Sequence, residues 1–389
     1  MPVFLFLKQI VDMFYQYKIL DYGMVVLCLV LLCGKIRKDK IYKNLKEFFC
    51  AEDYLVIALM LMYGLSFLRH PSAYGIFFKL ESCFLLYFLG RVYGSEILKY
   101  GKILAGAGYI VVYTNFLYRF YQFGFKFIVT GPEVTLLNVG GLYYYKTDLA
   151  IGIIIAVLFI YMFSEKKWLK WVTIIPVCGY MVFYSGARIG QLIMVIEYLL
   201  ILLYELQSRD KLSLKFKEKC ILWIMGTVSF FVLLFFIVLQ IFPFEDIAAN
   251  LNVAVGQGSF LEKLMHSRHI VWWDILAYFS EQPFFTRLLG VDLETEYLHN
   301  SLGIRAHSMY IKQIYAVGYV GCFVLLAFLI SVFKKLVEET DKKLKYIVLI
   351  LWVMLLGAGI TIESLESTQM SWFPMLFSGM LLSGRMQKN

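Results

Sequence analysis

The sequence has few charged residues for its length. Asp, Glu, Lys and Arg make up only 17% of the 389 residues, whereas hydrophobic residues make up 60%, and the mean hydropathy is +0.71. An average soluble domain is about 25% charged and about 45–50% apolar. A soluble fold of this size could not bury so much apolar surface in its core. The composition therefore excludes an ordinary soluble enzyme and a disordered chain, and it predicts an integral membrane protein with many spans.

Cysteine pairs and the common catalytic motifs are also missing. The seven cysteines are odd in number and form no CxxC pair, so neither a disulfide framework nor a zinc site is indicated. No Walker loop, HExxH motif or GxSxG elbow occurs. On a helix, Glu262, His266 and His269 would share one face and could bind a metal, but no further ligand with suitable spacing is visible. We expect neither a metal nor a cofactor.

Long apolar stretches run through most of the chain. A transmembrane helix needs about 20 mostly apolar residues. Candidate spans lie at 19–34, 54–69, 74–93, 97–118, 147–163, 168–185, 189–206, 221–242, 308–333, 346–362 and 369–384. Residues 1–18 are apolar but also charged, and they form either an interfacial helix or a further, short span. The prediction is an all-α polytopic membrane protein of about 11 (10–12) transmembrane helices, with 1–389 as a single membrane domain.

The basic residues lie mainly in short loops that alternate along the chain. The basic segments are 35–40, 166–167, 209–219 and 334–345. By the positive-inside rule they face the cytoplasm, which also puts the C-terminus inside and places 119–146, 186–188 and 243–306 outside. This rule accounts for the net charge of +9, and the sequence has no continuous basic face typical of nucleic-acid binding. We expect a multi-pass protein of the cytoplasmic (inner) membrane, with no nucleic-acid partner.

The segment 243–306 is the longest stretch without a predicted span. It contains eight acidic residues against four Lys and Arg residues. Loops of this length in compact proteins are usually functional or disordered, and the Trp and Phe residues of this one favour order. We expect a large extracytoplasmic loop, here called the lid, that contains short helices and packs on the membrane domain.

The turn 184–190 joins two predicted spans and carries Arg188 at the predicted outer face. A guanidinium offers a planar set of donors that matches a phosphate. Gly186 and Gly190 on either side would let backbone and ligand approach closely. An arginine at a membrane surface is also a common interfacial anchor, and that alternative stays open.

A second candidate, His307, lies where the lid re-enters the membrane. On a continuous helix Gly318 would follow it by about three turns plus 20°, so the two residues would share a face. Gly321 lies one turn further on, and glycines at this spacing let another helix pack closely. A packing face capped by a hydrogen-bonded histidine is the plain alternative to a catalytic role. In the lid, Arg268 is a candidate second phosphate ligand.

Three charged residues, Lys79, Glu81 and Glu197, fall inside predicted spans. Charge inside a membrane is costly, so such residues are candidates for function by default. They could equally lie near an interface or pair with charges on neighbouring helices.

Three segments carry a family resemblance. The first, 185–190, reads S-G-A-R-I-G. The second lies in the lid, where Arg268, Trp272, Pro283 and Gly290 follow the order R-x3-W, then P, then G. The third is the most specific, and it consists of His307-Ser308, nine residues, Gly318, two residues and Gly321.

In their order and shared outer-face location these segments resemble the O-antigen polymerase and O-antigen ligase superfamily. The likeness covers roughly residues 130–330. Two departures concern the lid. The Gly-x-Gly that often follows the lid proline in the family is absent, and a second His-Asn pair, His299-Asn300, precedes His307 without the downstream glycine spacing.

The resemblance implies a metal-independent glycosyltransferase of the membrane. It would transfer a glycan from undecaprenyl diphosphate to a hydroxyl of another lipid-linked repeat unit. Arg188, Arg268 and Arg305 would bind the diphosphate with help from Ser185, and His307 would act on the acceptor proton or on the phosphate. A chain-length regulator and a flippase of the same pathway are the expected protein partners.

Other functions stay open at this point. The chain has 27 Lys and 10 Arg residues, a usage typical of AT-rich genomes, which favours a capsule or exopolysaccharide polymerase over a ligase that attaches finished glycan to another acceptor. A lipid-linked oligosaccharide flippase is the alternative of another class. A flippase would place charges along a path through the membrane midplane, often with internal repeats, and no internal repeat is evident.

Overall fold

The structure, a computed structural model, describes residues 1–14, 17–43, 48–124, 141–143, 145–185, 187–208 and 268–383. The part of the chain that it describes is helical throughout and contains no strand. This confirms the all-α prediction.

Fourteen α-helices cover most of these residues. They are α1 (Pro2–Asp12), α2 (Lys18–Lys38), α3 (Ala51–Arg69), α4 (Tyr74–Tyr93), α5 (Gly101–Phe123), α6 (Lys146–Phe163), α7 (Lys167–Val172), α8 (Gly179–Ser185), α9 (Arg188–Ser208), α10 (Arg268–Glu281), α11 (Phe284–Leu289), α12 (Met309–Glu338), α13 (Lys342–Ala358) and α14 (Thr368–Ser383). A π-helical turn around Pro176 joins α7 to α8, and short 3₁₀ turns occupy Ile41–Lys43, Pro71–Ala73, Gly94–Tyr100 and Thr295–His299.

Among the described residues, six helical segments are long and apolar enough to cross a membrane. They are Lys18–Lys38, Ala51–Arg69, Pro71–Gln122, Lys146–Phe163, Ile189–Ser208 and Met309–Glu338. The segment 71–122 contains both α4 and α5, and α13 and α14 add apolar helices of 17 and 16 residues. The protein is therefore a helical membrane protein. The predicted span at 221–242 lies outside the described residues.

The N-terminal helix α1 packs into the bundle. It contacts α2, α5 and α14, and Lys8 and Asp12 are both buried and form an ion pair one turn apart. The Lys8 ammonium also lies 4.5 Å from the centre of the Trp372 ring. With 11 residues the helix is shorter than a span of about 20 residues. Its buried charges need these partners because an unpaired charge away from water is costly.

The helix α14 forms the centre of the bundle. All 16 of its residues are buried, and it packs most extensively on α4. Gly90 and Gly379 lie at the crossing, where a Cβ atom at Gly379 would come within 2.8 Å of the Arg91 nitrogen. Small residues let two helix backbones approach closely inside a membrane.

The described basic loops, 35–40, 166–167 and 334–345, lie at one end of the bundle, and the predicted loop 209–219 lies outside the described residues. Lys35 at the end of α2 pairs with Glu96 at 2.6 Å, and the Lys342 ammonium donates to a backbone carbonyl near the end of α9 at 3.0 Å. The described part of the lid lies at the opposite end, with the starts of α2, α6, α9 and α14. That the basic end faces the cytoplasm stays a prediction of the positive-inside rule.

Candidate functional site

The described part of the lid, residues 268–306, forms a small layer on α12. Its helices α10 and α11 both contact α12. A local apolar cluster of Val271, Ile275, Ala306 and Tyr315 fixes α10 against the start of α12. Residues 268–306 thus contain two short helices that pack on α12. Residues 243–267 lie outside the described residues.

The lid crosses α12 at two glycines from different segments of the chain. Gly290 has φ +84° and Gly318 has φ +64°, values that L side chains rarely adopt. A Cβ at Gly318 would lie 2.5 Å from the Leu288 oxygen and 2.6 Å from the Arg287 oxygen. The backbones touch at this point, so Gly318 interrupts the helical geometry of α12 and leaves room for the end of α11.

Arg69, the last residue of α3, stabilises the same crossing. Its guanidinium donates to the carbonyl oxygen of Gly290. Nearby, the backbone N–H of Val291 donates to the backbone carbonyl oxygen of Tyr315 at 2.7 Å. Gly321 differs from Gly318, because a Cβ there would meet the Val317 side chain of its own helix. A glycine at position 321 therefore leaves room for the Val317 side chain, next to the break in α12 at Gly318.

His307 does not lie on a continuous helix with Gly318. The helix α12 begins at Met309 after the extended residue Ser308, and His307 itself has φ +45°. The shared helical face expected from the sequence is therefore wrong. Met309 N instead donates to the carbonyl oxygens of Gly359 and Ile362 at 2.8 and 3.0 Å, which ties the start of α12 to the loop between α13 and α14.

Two residues of α10, one turn apart, hold the segment around His307. Trp272 Nε1 donates to the Ala306 oxygen at 2.7 Å, which fixes the residue just before the histidine. Arg268 donates to the Thr361 oxygen at 2.9 Å. Because residues four apart share a helix face, α10 presents both side chains to the same junction of lid and membrane domain.

Glu363, in the loop between α13 and α14, lies at the centre of this junction. One of its carboxylate oxygens accepts from His307 N at 3.3 Å, and the other lies 3.9 Å from the Arg305 guanidinium. It also interacts electrostatically with Arg268. The structure thus brings Arg268, Arg305 and His307 together around one carboxylate. We call these four residues the outer charge cluster, because the positive-inside rule predicts that this end of the bundle faces outward.

The cluster favours a neutral imidazole. Burial lowers the pKa of His307, and Arg268 and Arg305 lower it further, whereas Glu363 acts in the opposite direction. Since the ordinary pKa is about 6.5, the ring is uncharged at pH 7 and can accept a proton. The guanidinium of Arg305 also pairs with Glu294 at 3.2 Å, and the arginines can attract an anion to the same place.

Below the cluster lies a buried trio of charged side chains. Lys312 contacts Glu296 at 2.6 Å and Glu366 at 3.9 Å, and all three are almost fully buried. Burial raises the pKa of Glu366 to about 8 despite the opposing effect of the lysine. The closer glutamate, Glu296, pairs with the lysine, whereas the raised pKa of Glu366 favours its protonated form. The ion pair between Glu296 and Lys312 links the 3₁₀ turn of the lid to α12.

The sequence gives no individual role to four residues of this region, Glu363, Glu366, Glu296 and Lys312. The expectations from the sequence concern the arginines and histidines of the predicted outer face. The available signal was the pair Glu363 and Glu366 in the short connection between two apolar helices. Two acids in so short an outer connection could have indicated partners for the nearby cations.

The turn that contains Ser185 and Arg188 lies at the same end of the molecule. The Ser185 hydroxyl is buried and donates to the Val182 oxygen at 2.6 Å, so the turn itself uses it. Arg188 begins α9, but its side chain lies outside the described part of the structure. Gly190 packs on Ala150 at the start of α6, which fixes the turn within the bundle.

The other residues noted in the sequence have different surroundings. Glu197 is fully buried in α9, and neither carboxylate oxygen has a hydrogen-bond partner among the described residues. The His299 ring stacks on Tyr278 with centroids 3.6 Å apart, which indicates a packing role. Glu262 and His266 lie outside the described residues. Within those that are described, no group of His, Cys, Asp and Glu is suited to hold a metal.

Comparisons with known proteins give no assignment, because neither the protein-family models nor the curated proteins contain a match to this sequence.

Proposed function

We propose that the protein is a membrane glycosyltransferase that acts on lipid-linked glycans. It transfers a growing glycan from undecaprenyl diphosphate to a hydroxyl group of another lipid-linked repeat unit. In this proposal the outer charge cluster is the active site, on the extracytoplasmic face of the cytoplasmic membrane. The C-terminus is cytoplasmic, and a chain-length regulator and a flippase act beside it in the same pathway.

The reaction needs two kinds of help from the protein. The acceptor oxygen forms a bond to the anomeric carbon while the bond from that carbon to the diphosphate oxygen breaks, and the electron pair leaves with the lipid diphosphate. Arg268, Arg305 and Arg188 stabilise the negative charge on this leaving group. His307 takes the proton of the acceptor hydroxyl, and Glu363 stabilises the imidazolium ion that forms.

The main support for the proposal is that residues from separate segments of the sequence lie close to His307. Arg268 and Trp272 come from α10, and Gly290 of the lid meets Gly318 of α12. These residues belong to two of the segments that resemble the O-antigen polymerase and ligase superfamily. A neutral imidazole whose pKa Arg268 and Arg305 help to lower matches the chemistry that such a transfer requires.

The test is the glycan made by cells that lack the gene, with complementation by the wild type and by variants. We expect surface polymer to collapse to single repeat units on the outer face. His307→Ala, Arg268→Ala and Arg188→Ala should insert normally in the membrane and fail to restore polymer. Arg37→Ala, an exposed arginine at the opposite end of the bundle, is the matched control and should restore it.

Other outcomes would contradict parts of the proposal. Long lipid-linked polymer that accumulates unattached would identify a ligase, which uses the same chemistry with another acceptor. Repeat units that never reach the outer face would identify a flippase. Normal polymer from the His307 and Arg268 variants would remove the active-site assignment.

A further inference from the structure

A polar cavity of about 320 Å³ lies beside the outer charge cluster. Its walls come from the start of α2, the junction of α3 with α4, and two lid residues, Glu294 and Arg305. Arg305 also lies 3.9 Å from Glu363 of the cluster. One side chain therefore borders both the cavity and the site around His307.

The charges in the cavity are unequal. Lys18, Lys79 and Arg305 line it together with only two carboxylates, Asp21 and Glu294. Arg305 and Glu294 pair with each other at 3.2 Å. Asp21 is buried, and its carboxylate lies 3.5 Å from the Thr368 hydroxyl. Asp21 also interacts electrostatically with Lys79, so the three cations and two carboxylates leave the cavity a net positive charge, on the side of Lys18 and Lys79, for an incoming group.

The two lysines have no ion-pair partner in the part of the chain that the structure describes. No carboxylate among those residues lies within 4.0 Å of either ammonium group. Lys79 belongs to α4, a membrane span, where an ionisable side chain is costly unless it meets a partner or a water-filled cavity. A site of this kind attracts an anion with several oxygen acceptors.

The size and walls of the cavity restrict the ligand further. Its volume is at the lower end of the range of about 300–1,000 Å³ for ligand sites, so it accommodates a head group rather than an oligosaccharide. Tyr22 and Phe78 form an aromatic wall, with ring centroids 4.6 Å apart. The wall gives the cavity an apolar side next to the two lysines.

We infer that this cavity binds the diphosphate of a second lipid-linked substrate, the acceptor, through Lys18 and Lys79. The inference rests on the proposed function and adds a second substrate site to it. The donor diphosphate occupies the arginines of the outer charge cluster, and the acceptor diphosphate occupies the lysine cavity. Arg305, between them, sets the two head groups side by side, so that the acceptor hydroxyl can reach the donor sugar.

The test is the number of diphosphate sites on the purified full-length chain in phosphatidylcholine nanodiscs. Radiolabelled farnesyl diphosphate serves as the probe. We expect two sites per wild-type chain, and one site in the double variant Lys18→Gln and Lys79→Gln, with an affinity loss of about ten-fold or more at the cavity since charge-assisted hydrogen bonds are lost. Lys166→Gln, an exposed lysine at the opposite end, should keep both sites.

Two results would overturn the inference. One is unchanged stoichiometry and affinity in the double lysine variant. The other is displacement of the probe from the cavity by anionic phosphatidylglycerol in the nanodiscs, which would identify an ordinary phospholipid head group as the occupant. His307→Ala serves as a reference that should retain the lysine site.

A transfer assay separates this inference from the proposed function. The double lysine variant should show a higher KM for the acceptor at nearly unchanged kcat. If the wild type transfers glycan and the acceptor KM of the variant is unchanged, the lysine cavity is wrong and the function stands. If the wild type transfers nothing while the lysines still bind the probe, the function is wrong and the diphosphate site stands.

Discussion

The crossing of the lid over α12 predicts that Gly318→Ala destabilises the protein. The native backbone at Gly318 has φ +64° and ψ −167°, a region that is essentially restricted to glycine and costs another residue about 1–3 kcal/mol. The new methyl group would also lie 2.5 to 2.6 Å from two backbone oxygens of α11. Backbone atoms have no alternative rotamer, so the lid must move, and overpacking of this kind costs about 1–3 kcal/mol. We therefore expect Gly318→Ala to lower the free energy of unfolding by about 2–6 kcal/mol.

The assay is unfolding of the purified protein in mixed micelles with increasing SDS, followed by tryptophan fluorescence. Gly64→Ala in α3 is the matched control, because nothing lies within 4 Å of a Cβ built at that position. In a helix interior alanine is favoured over glycine by about 0.5–1 kcal/mol, so the control should be unchanged or slightly stabilised.

A second substitution tests whether the crossing itself is responsible. Gly290→Ala places a methyl group 2.6 Å from the Val317 nitrogen, at φ +84°. Because Gly290 and Gly318 touch, the two substitutions should not be additive, with a coupling of about 0.5–3 kcal/mol. A Gly318→Ala protein within about 0.5 kcal/mol of the wild type, less than the lowest cost of a residue in that backbone region, would refute the reasoning.

Three further predictions concern the outer charge cluster and its support. Glycan transfer should fall as the pH drops through the lowered pKa of His307. Glu363→Gln should move this acid limb of the pH–rate profile to still lower pH, because the variant lacks the carboxylate that raises the pKa of His307. A shift of the limb to higher pH would contradict the assignment. Glu296→Gln should destabilise the protein by about 3–5 kcal/mol, the cost of breaking a buried ion pair. Glu366→Gln should cost less, because burial raises the pKa of Glu366 and favours its neutral form; equal losses in SDS unfolding would contradict this difference. Trp272→Phe, which removes one hydrogen bond, should lower kcat more than stability, and a loss of stability alone would assign it to packing.

The helical membrane fold could be predicted from composition, because apolar stretches of about 20 residues have few other stable arrangements. Details at the helix ends were less predictable. The sequence predicts either an interfacial helix or a short span for residues 1–18, and the structure packs α1 against α5 with the Lys8–Asp12 pair buried. Hydropathy reports only the average polarity of a segment. It counts Lys8 and Asp12 as two polar residues and does not indicate that they form an ion pair one helical turn apart.

Part of the candidate site was also visible in the sequence. Residue type, position and resemblance predict His307, Arg268 and Arg305, and these residues lie together in the structure. The geometry around His307 was not predictable from periodicity, since the helix begins two residues later and breaks again at Gly318. A regular helical projection assumes an unbroken helix, whereas a positive φ arises from contacts with another part of the chain.

Composition is enough to predict a helical membrane protein, because apolar content and the cost of burying backbone and charge are local properties of the chain. The contact between Glu363 and His307, the crossing of two glycines and the cavity bordered by Lys18 and Lys79 depend on the packing of the helices. Glu363 and His307 are far apart in sequence, and Gly290 and Gly318 come from different segments of the chain. Their contacts depend on how the helices pack, which no local pattern encodes.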